Sequence, residues 1–293
     1  TDKDGLPLDY GLYKGNQAEG ATMVPFVDEL KKKFNIKSFT VVADRGLNSK
    51  SNIDSLVKLG DNYVLSSKIR GASDDIKAQV LSEEGRIPMK KVNEDGEIID
   101  YGWYKEIQTD GPIKYDTPQY VFEKPDGQKE KELEVKLNHE KTPSGKTVKS
   151  KLNRRYIITW TASRARKDKK DRERLVKKAR ELVANPADIK AGFKRGGRSY
   201  VLVDINAETA RIDDTLIAEQ SKFDGIHVVE TSLTAPALEV VKIYKNLWKI
   251  EDSFRHLKSS FSARPVYVRL EDHVRGHFLI CFLALCLHRF LEY

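Results

Sequence analysis

Cysteine is nearly missing from the 293 residues. Cys281 and Cys286 are the only two, and a spacing of five within one apolar run turns them away from a shared helix face. A structural disulfide is therefore not expected, and a reducing, cytoplasmic setting fits. Long hydrophobic runs are missing too. The most apolar stretch, Phe278 to Leu287, is bracketed by His277 and His288 and falls far short of the roughly 20 residues that a bilayer span needs. It is expected to be a buried core helix, with no membrane partner. Thr1-Asp2-Lys3-Asp4 leads into a strand-like pattern and not into a basic, then apolar run, so no secretory signal is expected. Acid is in deficit: 52 Lys and Arg face 44 Asp and Glu, a formal charge of +8 that suits a polyanion such as nucleic acid without singling one out.

What is present follows an α/β rhythm. Leu6, Leu8, Tyr10 and Leu12 alternate with Pro7, Asp9 and Gly11, the period of a half-buried strand entering a turn at Lys14-Gly15-Asn16. Val24, Val27, Leu30 and Phe34 recur at helical spacing and end in Lys31-Lys32-Lys33, a favourable helix C-terminus. Phe39 to Ala43 is a short β-branched run broken by Asp44-Arg45-Gly46, which predicts a buried strand delivering a carboxylate to its C-terminal end. That edge is where α/β sheets place their chemistry. Ile53, Leu56 and Val57 mark a second helix stopped by Gly60, and Tyr63-Val64-Leu65 another strand.

From Gly85 to Thr161 helical periodicity fades. Tyr101 to Tyr104, Tyr120 to Phe122 and Tyr156 to Trp160 are aromatic or β-branched segments between turns such as Asp95-Gly96, Asp126-Gly127 and Ser144-Gly145, so a β-rich stretch is expected. Arg164 to Ala184 predicts a charged helix with Leu175, Val176, Ala179, Leu182 and Val183 as its apolar stripe and Asn185-Pro186 as its stop. Strands follow at Tyr200 to Val203 and Gly225 to Glu230. Two long helices close the chain, one from about Pro236 to Phe261 and one from about Glu271 to Leu291.

Within the first of these, Tyr244, Glu251 and Lys258 stand seven apart. At about 100° per residue, seven residues return to nearly the same face, so a continuous helix would carry a ladder of phenol, carboxylate and ammonium in steps of about 10 Å. Trp248, Ile250, Phe254, Leu257 and Phe261 are expected to bury the other faces. A carboxylate here, brought beside Asp44, would form part of a hard-oxygen site for Mg²⁺ or Mn²⁺. Lys258 would then neutralise a nearby phosphate and Tyr244 hydrogen-bond another backbone oxygen. An amphipathic helix with a chance Glu and Lys is the competing reading.

Tyr244, Glu251 and Lys258 resemble the Tyr-x2-Arg-x3-Glu-x6-Lys signature of the IS4-type DDE transposases, and Ala43-Asp44-Arg45-Gly46-Leu47 resembles the strand end that carries their second catalytic Asp. Phe223-Asp224-Gly225-Ile226, Phe254 to Ser259, Arg264-Pro265-Val266-Tyr267 and His273 to His277 look closest to the IS1634-like branch. The resemblance implies an α/β, RNase H-like fold with a β-rich insertion between the second catalytic Asp and the Glu-bearing helix. It implies two Mg²⁺ (or Mn²⁺) ions, nicking at insertion-sequence ends, and strand transfer by the liberated 3′-hydroxyl.

By the same resemblance Asp44 and Glu251 are the catalytic, metal-binding acids, and Tyr244 and Lys258 flank them on double-stranded DNA, at transposon ends and target. Leu247 stands where the signature has Arg, which leaves Lys249 or Arg255 as substitute phosphate contacts. Residues 1–84 are expected to form the first part of the catalytic core, 85–161 the insertion, 162–205 a charged helix and connector, and 206–293 the second part of the core. Joining two ends implies a dimer in the DNA complex, in a bacterial or archaeal protein associated with the nucleoid. The first acid is expected on a strand preceding Leu6, so this polypeptide alone is expected to bind metal weakly and not to cleave DNA. A non-catalytic DNA-binding remnant and an RNase H-like nuclease are the alternatives.

Other groups have plainer readings. Trp248 could stack on an unpaired base or pack in the core. His256, His273 and His277 lack a zinc-like spacing. Ser66-Ser67 and Thr231-Ser232 have no paired His and Asp to activate them. Lys194, Arg195 and Arg198, among three glycines, form either a phosphate-receiving loop or a flexible basic turn.

Overall fold

The computed structural model describes residues 6–292 apart from 16, 18, 93–95, 114–119, 122–133, 136–149, 185–195 and 205–208. Asp2, Asp4, the turns at Asn16, Asp95, Asp126-Gly127 and Ser144-Gly145, the Asn185-Pro186 stop, and Lys194 with Arg195 lie outside the described residues. The elements are α1 (Met23–Phe34), β1 (Thr40–Ala43), α2 (Lys50–Lys58), β2 (Asn62–Ser66), α3 (Asp74–Leu81), β3 (Ile87–Val92), β4 (Ile98–Ile113), β5 (Tyr120–Val121), β6 (Glu134–Val135), β7 (Ser150–Thr161), α4 (Ala162–Ala184), β8 (Val201–Asp204), β9 (Thr209–Ile212), α5 (Asp214–Ser221), β10 (Ile226–Thr231), α6 (Ala237–Lys245), α7 (Leu247–Ser259) and α8 (Glu271–Leu291). The fold is mixed α/β. Its main sheet has six strands in the order β1-β2-β10-β7-β4-β3.

The chain divides into two compact units: Thr1–Ser66, Thr109–Arg154 and Glu230–Tyr293 form one, Ser67–Gln108 and Arg155–Val229 the other. In the first, β1 runs parallel to β2 with Thr40 opposite Asn62 and Ala43 opposite Leu65. Helices α1 and α2 bury Met23, Val24, Val27, Ile53 and Leu56 against Ala43, Tyr63 and Leu65. Complete burial of a side chain such as Ile53 or Leu56 contributes about 2 kcal/mol. The C-terminal turn of α1 is tied down by Lys31, whose Nζ meets Asp61 Oδ1 at 2.9 Å and Leu59 O at 3.1 Å, while Asp61 Oδ1 also accepts from Phe39 N at 2.8 Å.

In the second unit, Ile69, Val80, Tyr156, Ile158, Phe223 and Val228 form one core, and the apolar stripe of α4 forms another with Tyr200 and Val201. Gly225 takes a left-handed φ of 84°, and a Cβ there would lie 2.5 Å from Trp160 Nε1. Only glycine meets both demands. Its N–H donates to Asp168 Oδ2 at 3.0 Å, and Arg172 pairs with the adjacent Asp224, which fastens α4 to the turn before β10.

Four expectations are overturned. Residues 6–14 form no strand. Their period-two alternation finds no ladder partner among the described residues, and Tyr10 instead packs its ring 4.7 Å from that of Phe282 on α8. The helix expected from Pro236 to Phe261 is interrupted at Asn246. Lys249 N reaches back only to Asn246 O, at 3.0 Å, the tighter i to i−3 bond of a 3₁₀ turn. Asn, whose side chain competes for nearby backbone groups, is a weak helix former at that position. The third correction concerns Trp248 and Phe254, expected in the core but more than half exposed, because α7 turns those positions away from α6 and α8.

Helix α8 is the fourth. It was expected as a buried core helix, yet Ile280, Leu287 and Phe290 are 68%, 67% and 71% exposed, and only Cys281 and Leu285 are buried. Its partners, α7 and the stretch around Pro7 to Tyr10, cover a narrower stripe than its apolar residues occupy. With 21 residues it is also, by length and composition alone, apolar enough to cross a membrane.

Candidate active site

Asp44 is the first residue beyond β1, and it is exposed. The strand forms because Thr40, Val41 and Val42 are β-branched, and it ends where Asp44 Oδ1 accepts the N–H of Gly46 at 2.8 Å, an Asx-type turn. The loop that follows is pinned at both ends. Asn48 Nδ2 donates to Ser66 O at the end of β2 (2.9 Å), Asn52 Nδ2 donates to Leu47 O (3.0 Å), and Ser49 caps α2 by accepting from Asn52 N (3.2 Å). A carboxylate on a loop so fastened is held by rigid elements on either side.

Glu251 and Lys258 are both exposed on α7, two turns apart and on nearly the same face. Tyr244 is half-buried on α6, across the break at Asn246, so the ladder of three does not ride on one continuous helix. Lys249 is half-buried, Trp248 is exposed, and Arg255 is exposed and paired with Asp252. Helix α6 packs on β1 and β2, and α7 packs on α6 and α8. The strand that presents Asp44 and the helix that carries Glu251 are therefore joined through α6, within one unit.

The two acids differ from their neighbours in what they touch. Asp9, Asp28, Asp54 and Asp61 are each ion-paired with a lysine of the same unit. Asp252, adjacent to Glu251, is gripped by Arg255 and Arg289. Among the described residues neither Asp44 nor Glu251 takes part in any ion pair. Both are exposed, hard-oxygen carboxylates outside any such ion pair, Asp44 Oδ1 accepting the Gly46 N–H, which suits a divalent cation of the Mg²⁺ type.

Arg289 escaped the sequence reading. Near the end of α8 it donates to Asp252 Oδ2 and, from Nε at 3.3 Å and Nη2 at 3.2 Å, to Ser253 Oγ, while Ser253 Oγ donates to Lys249 O at 2.8 Å. It anchors the helix that bears Glu251. A basic residue in a last helical turn reads as a dipole partner, and nothing in its local sequence reveals the distant Asp252. The histidines also regroup: His277 Nε2 approaches Ala263 O at 3.3 Å, whereas His256 lies beside His288 and Glu292. Thr231 and Ser232 are structural, with Thr231 Oγ1 donating to Tyr63 O at 2.8 Å and Ser232 Oγ accepting from Tyr63 N at 3.0 Å. Arg198, the described part of the basic loop, spends Nη1 on Val201 O at 2.6 Å.

The family model for the transposase DDE domain matches residues 1–287. The chain belongs to that family. No curated protein matches it. Transposase DDE domains act on DNA and in general use divalent metal ions, so a transposase function is established for this domain at the level of the family. The hard-oxygen character of Asp44 and Glu251 agrees with that chemistry.

Proposed function

We propose that this DDE transposase domain serves an enzyme that cleaves DNA and transfers strands at the ends of an insertion sequence of the IS4 type, IS1634-like branch, with Asp44 and Glu251 as two of the metal-holding acids. The observation that carries the reading is placement: Asp44 stands exposed at the end of β1 and Glu251 exposed on α7, elements joined through α6 within one unit, and among the described residues neither carboxylate takes part in an ion pair. Two Mg²⁺ or Mn²⁺ ions, when bound, supply activation of the attacking oxygen and stabilisation of the leaving one in an in-line phosphoryl displacement.

The chain's own residues provide the rest. Asp44 and Glu251 would hold the ions. Lys258, two turns from Glu251, would set its ammonium against a backbone phosphate, with Lys249 and Arg255 in reach of neighbouring phosphates from the same helix. Tyr244 would hydrogen-bond a backbone oxygen. Trp248, 58% exposed, offers a ring face on which a base can stack. We read the architecture as RNase H-like, with residues 85–161 inserted between Asp44 and the Glu251 helix, and the DNA complex as a dimer that joins two double-stranded ends.

Mn²⁺ binding followed by electron paramagnetic resonance of the free ion tests the acids directly. Asp44→Asn and Glu251→Gln are each expected to weaken binding at least tenfold while leaving the circular dichroism spectrum unchanged. Lys258→Ala is expected to weaken binding to duplex DNA, with a shallower salt dependence by about one phosphate contact, and to leave Mn²⁺ binding intact. Unaltered Mn²⁺ affinity in both acid variants would overturn the assignment.

A further inference from the structure

We propose that His256, His288 and Glu292 form a zinc site that clamps α7 to α8. The ligand atoms of the three residues lie within 4.8 Å of one another. His288 and Glu292 stand one helical turn apart at the end of α8, and His256 reaches them from α7, so a bound ion would bridge two helices that already pack together. Two imidazoles and one carboxylate are a donor set that zinc accepts with its fourth position left to water. The same set is too rich in nitrogen for Mg²⁺, which prefers oxygen throughout.

The imidazoles are not otherwise engaged in strong hydrogen bonds. His288 Nε2 is buried without a hydrogen-bond partner among the described residues, although Glu292 Oε1 stands only 3.2 Å away. The nearest groups to His256 are distant: Asp252 Oδ2 at 3.5 Å from Nε2, and Ser260 Oγ at 3.4 Å from Nδ1. The two rings lie 4.6 Å apart at 52°, and Phe261 stands edge-on to His288 at 5.8 Å, closing one side with an apolar wall.

Tetrahedral zinc, with ligands at about 2.0–2.2 Å, needs donors roughly 3.3 Å apart, so side-chain rotation must draw this group in by up to about 1.5 Å. The partly exposed side chains permit that. Arg289 works both ways: its Nη1 donates to Glu292 Oε2 at 2.6 Å and orients the carboxylate with Oε1 toward His288, but its charge opposes a second cation. Zinc is therefore held exchangeably. The clamp would also steady the helix that carries Glu251, yet it stands independently of any role for that acid.

Competition of the intact chain with a chromophoric chelator tests the site. One equivalent of zinc is expected to bind, with affinity falling at least thirtyfold in His288→Gln and in His256→Gln and by less than twofold in Glu239→Gln, an exposed acid on α6. Millimolar Mg²⁺ is expected not to displace it. Cobalt is expected to give the intense visible absorption of a four-coordinate site, reduced to the weak spectrum of the hydrated ion in His288→Gln. Because a variant could lose zinc by misfolding, the metal-free melting temperature of each is compared with wild type and is expected to agree within about 2 °C. A six-coordinate cobalt spectrum in the wild-type chain, or equal zinc uptake by wild type and the double His256→Gln/His288→Gln variant, would overturn the site while leaving the reading of Asp44 and Glu251 untouched.

Discussion

Helices α4 and α8 invert one another. The first has 23 residues, most of them charged, yet its few apolar positions are the buried ones: Val176 and Ala179 in the core, with Leu175, Leu182 and Val183 packed beside them. The second has 21 residues and is largely apolar, yet most of its large side chains face outward. Composition thus points one way and burial the other. What separates them is the presence of an opposing surface. The turn at Gly196–Tyr200 approaches α4 so closely that a Cβ on Gly197 would sit 2.9 Å from Leu175 O. Helix α8 meets α7 along one narrow stripe, and its remaining apolar residues have no such cover among the described residues.

The largest effect is expected in the buried stripe of the polar helix. Val176→Asp places a charge without a partner in the core of the second unit and should cost about 4 kcal/mol, read from the urea midpoint at constant m-value. A loss below about 1 kcal/mol would erase the distinction between the helices.

A second test asks whether one buried charge obeys the same logic. Lys105 is buried, and its Nζ donates to Gln79 O and Ser82 O, at 2.5 and 2.6 Å, at the end of α3. Burial, aided by the charge of Arg86 and opposed by that of Glu84, pushes its ammonium below the usual lysine range. Lys105→Met should cost about 2 kcal/mol at neutral pH through the two carbonyls left without their donor. The folded state holds this proton less tightly than the unfolded chain. Between the lowered folded value and the ordinary one near 10.5, wild-type stability therefore rises with pH relative to the variant. The gap between the two proteins should widen from pH 7 to pH 10 in urea titrations, and a narrowing gap would reverse the sign of the argument.

The smallest effect belongs to α8. Leu287→Lys, at a position 67% exposed, should shift stability by no more than about 0.5 kcal/mol. A loss of 2 kcal/mol or more in equilibrium unfolding would mean that this face is covered in solution and that α8 resembles α4 after all.

Local patterns located β1 and the Asp44 that follows it, the helix α1, the stop at Gly60 and the stripe of α4, because each is written in neighbouring residues: β-branching, helical spacing, a left-handed glycine. The interruption at Asn246 was not legible, since a single tightened turn leaves apolar periodicity almost unchanged. Nor was the contrast between Glu251 and Asp252. Both are acids on one helix, and only Arg289, brought in by α8, commits the second and not the first.

By itself the chain specified β1, β2, α1, α2 and α4, where carboxylates fall along them, and which family's signature it carries, because those properties are set by residues within a few turns of each other. Tertiary structure alone decided that α8 presents its apolar side, that Trp248 faces outward, and that His256 joins His288 and Glu292. Periodicity defines a face. Only the surface that meets that face, supplied by residues far away along the chain, determines whether it is buried, paired or left open.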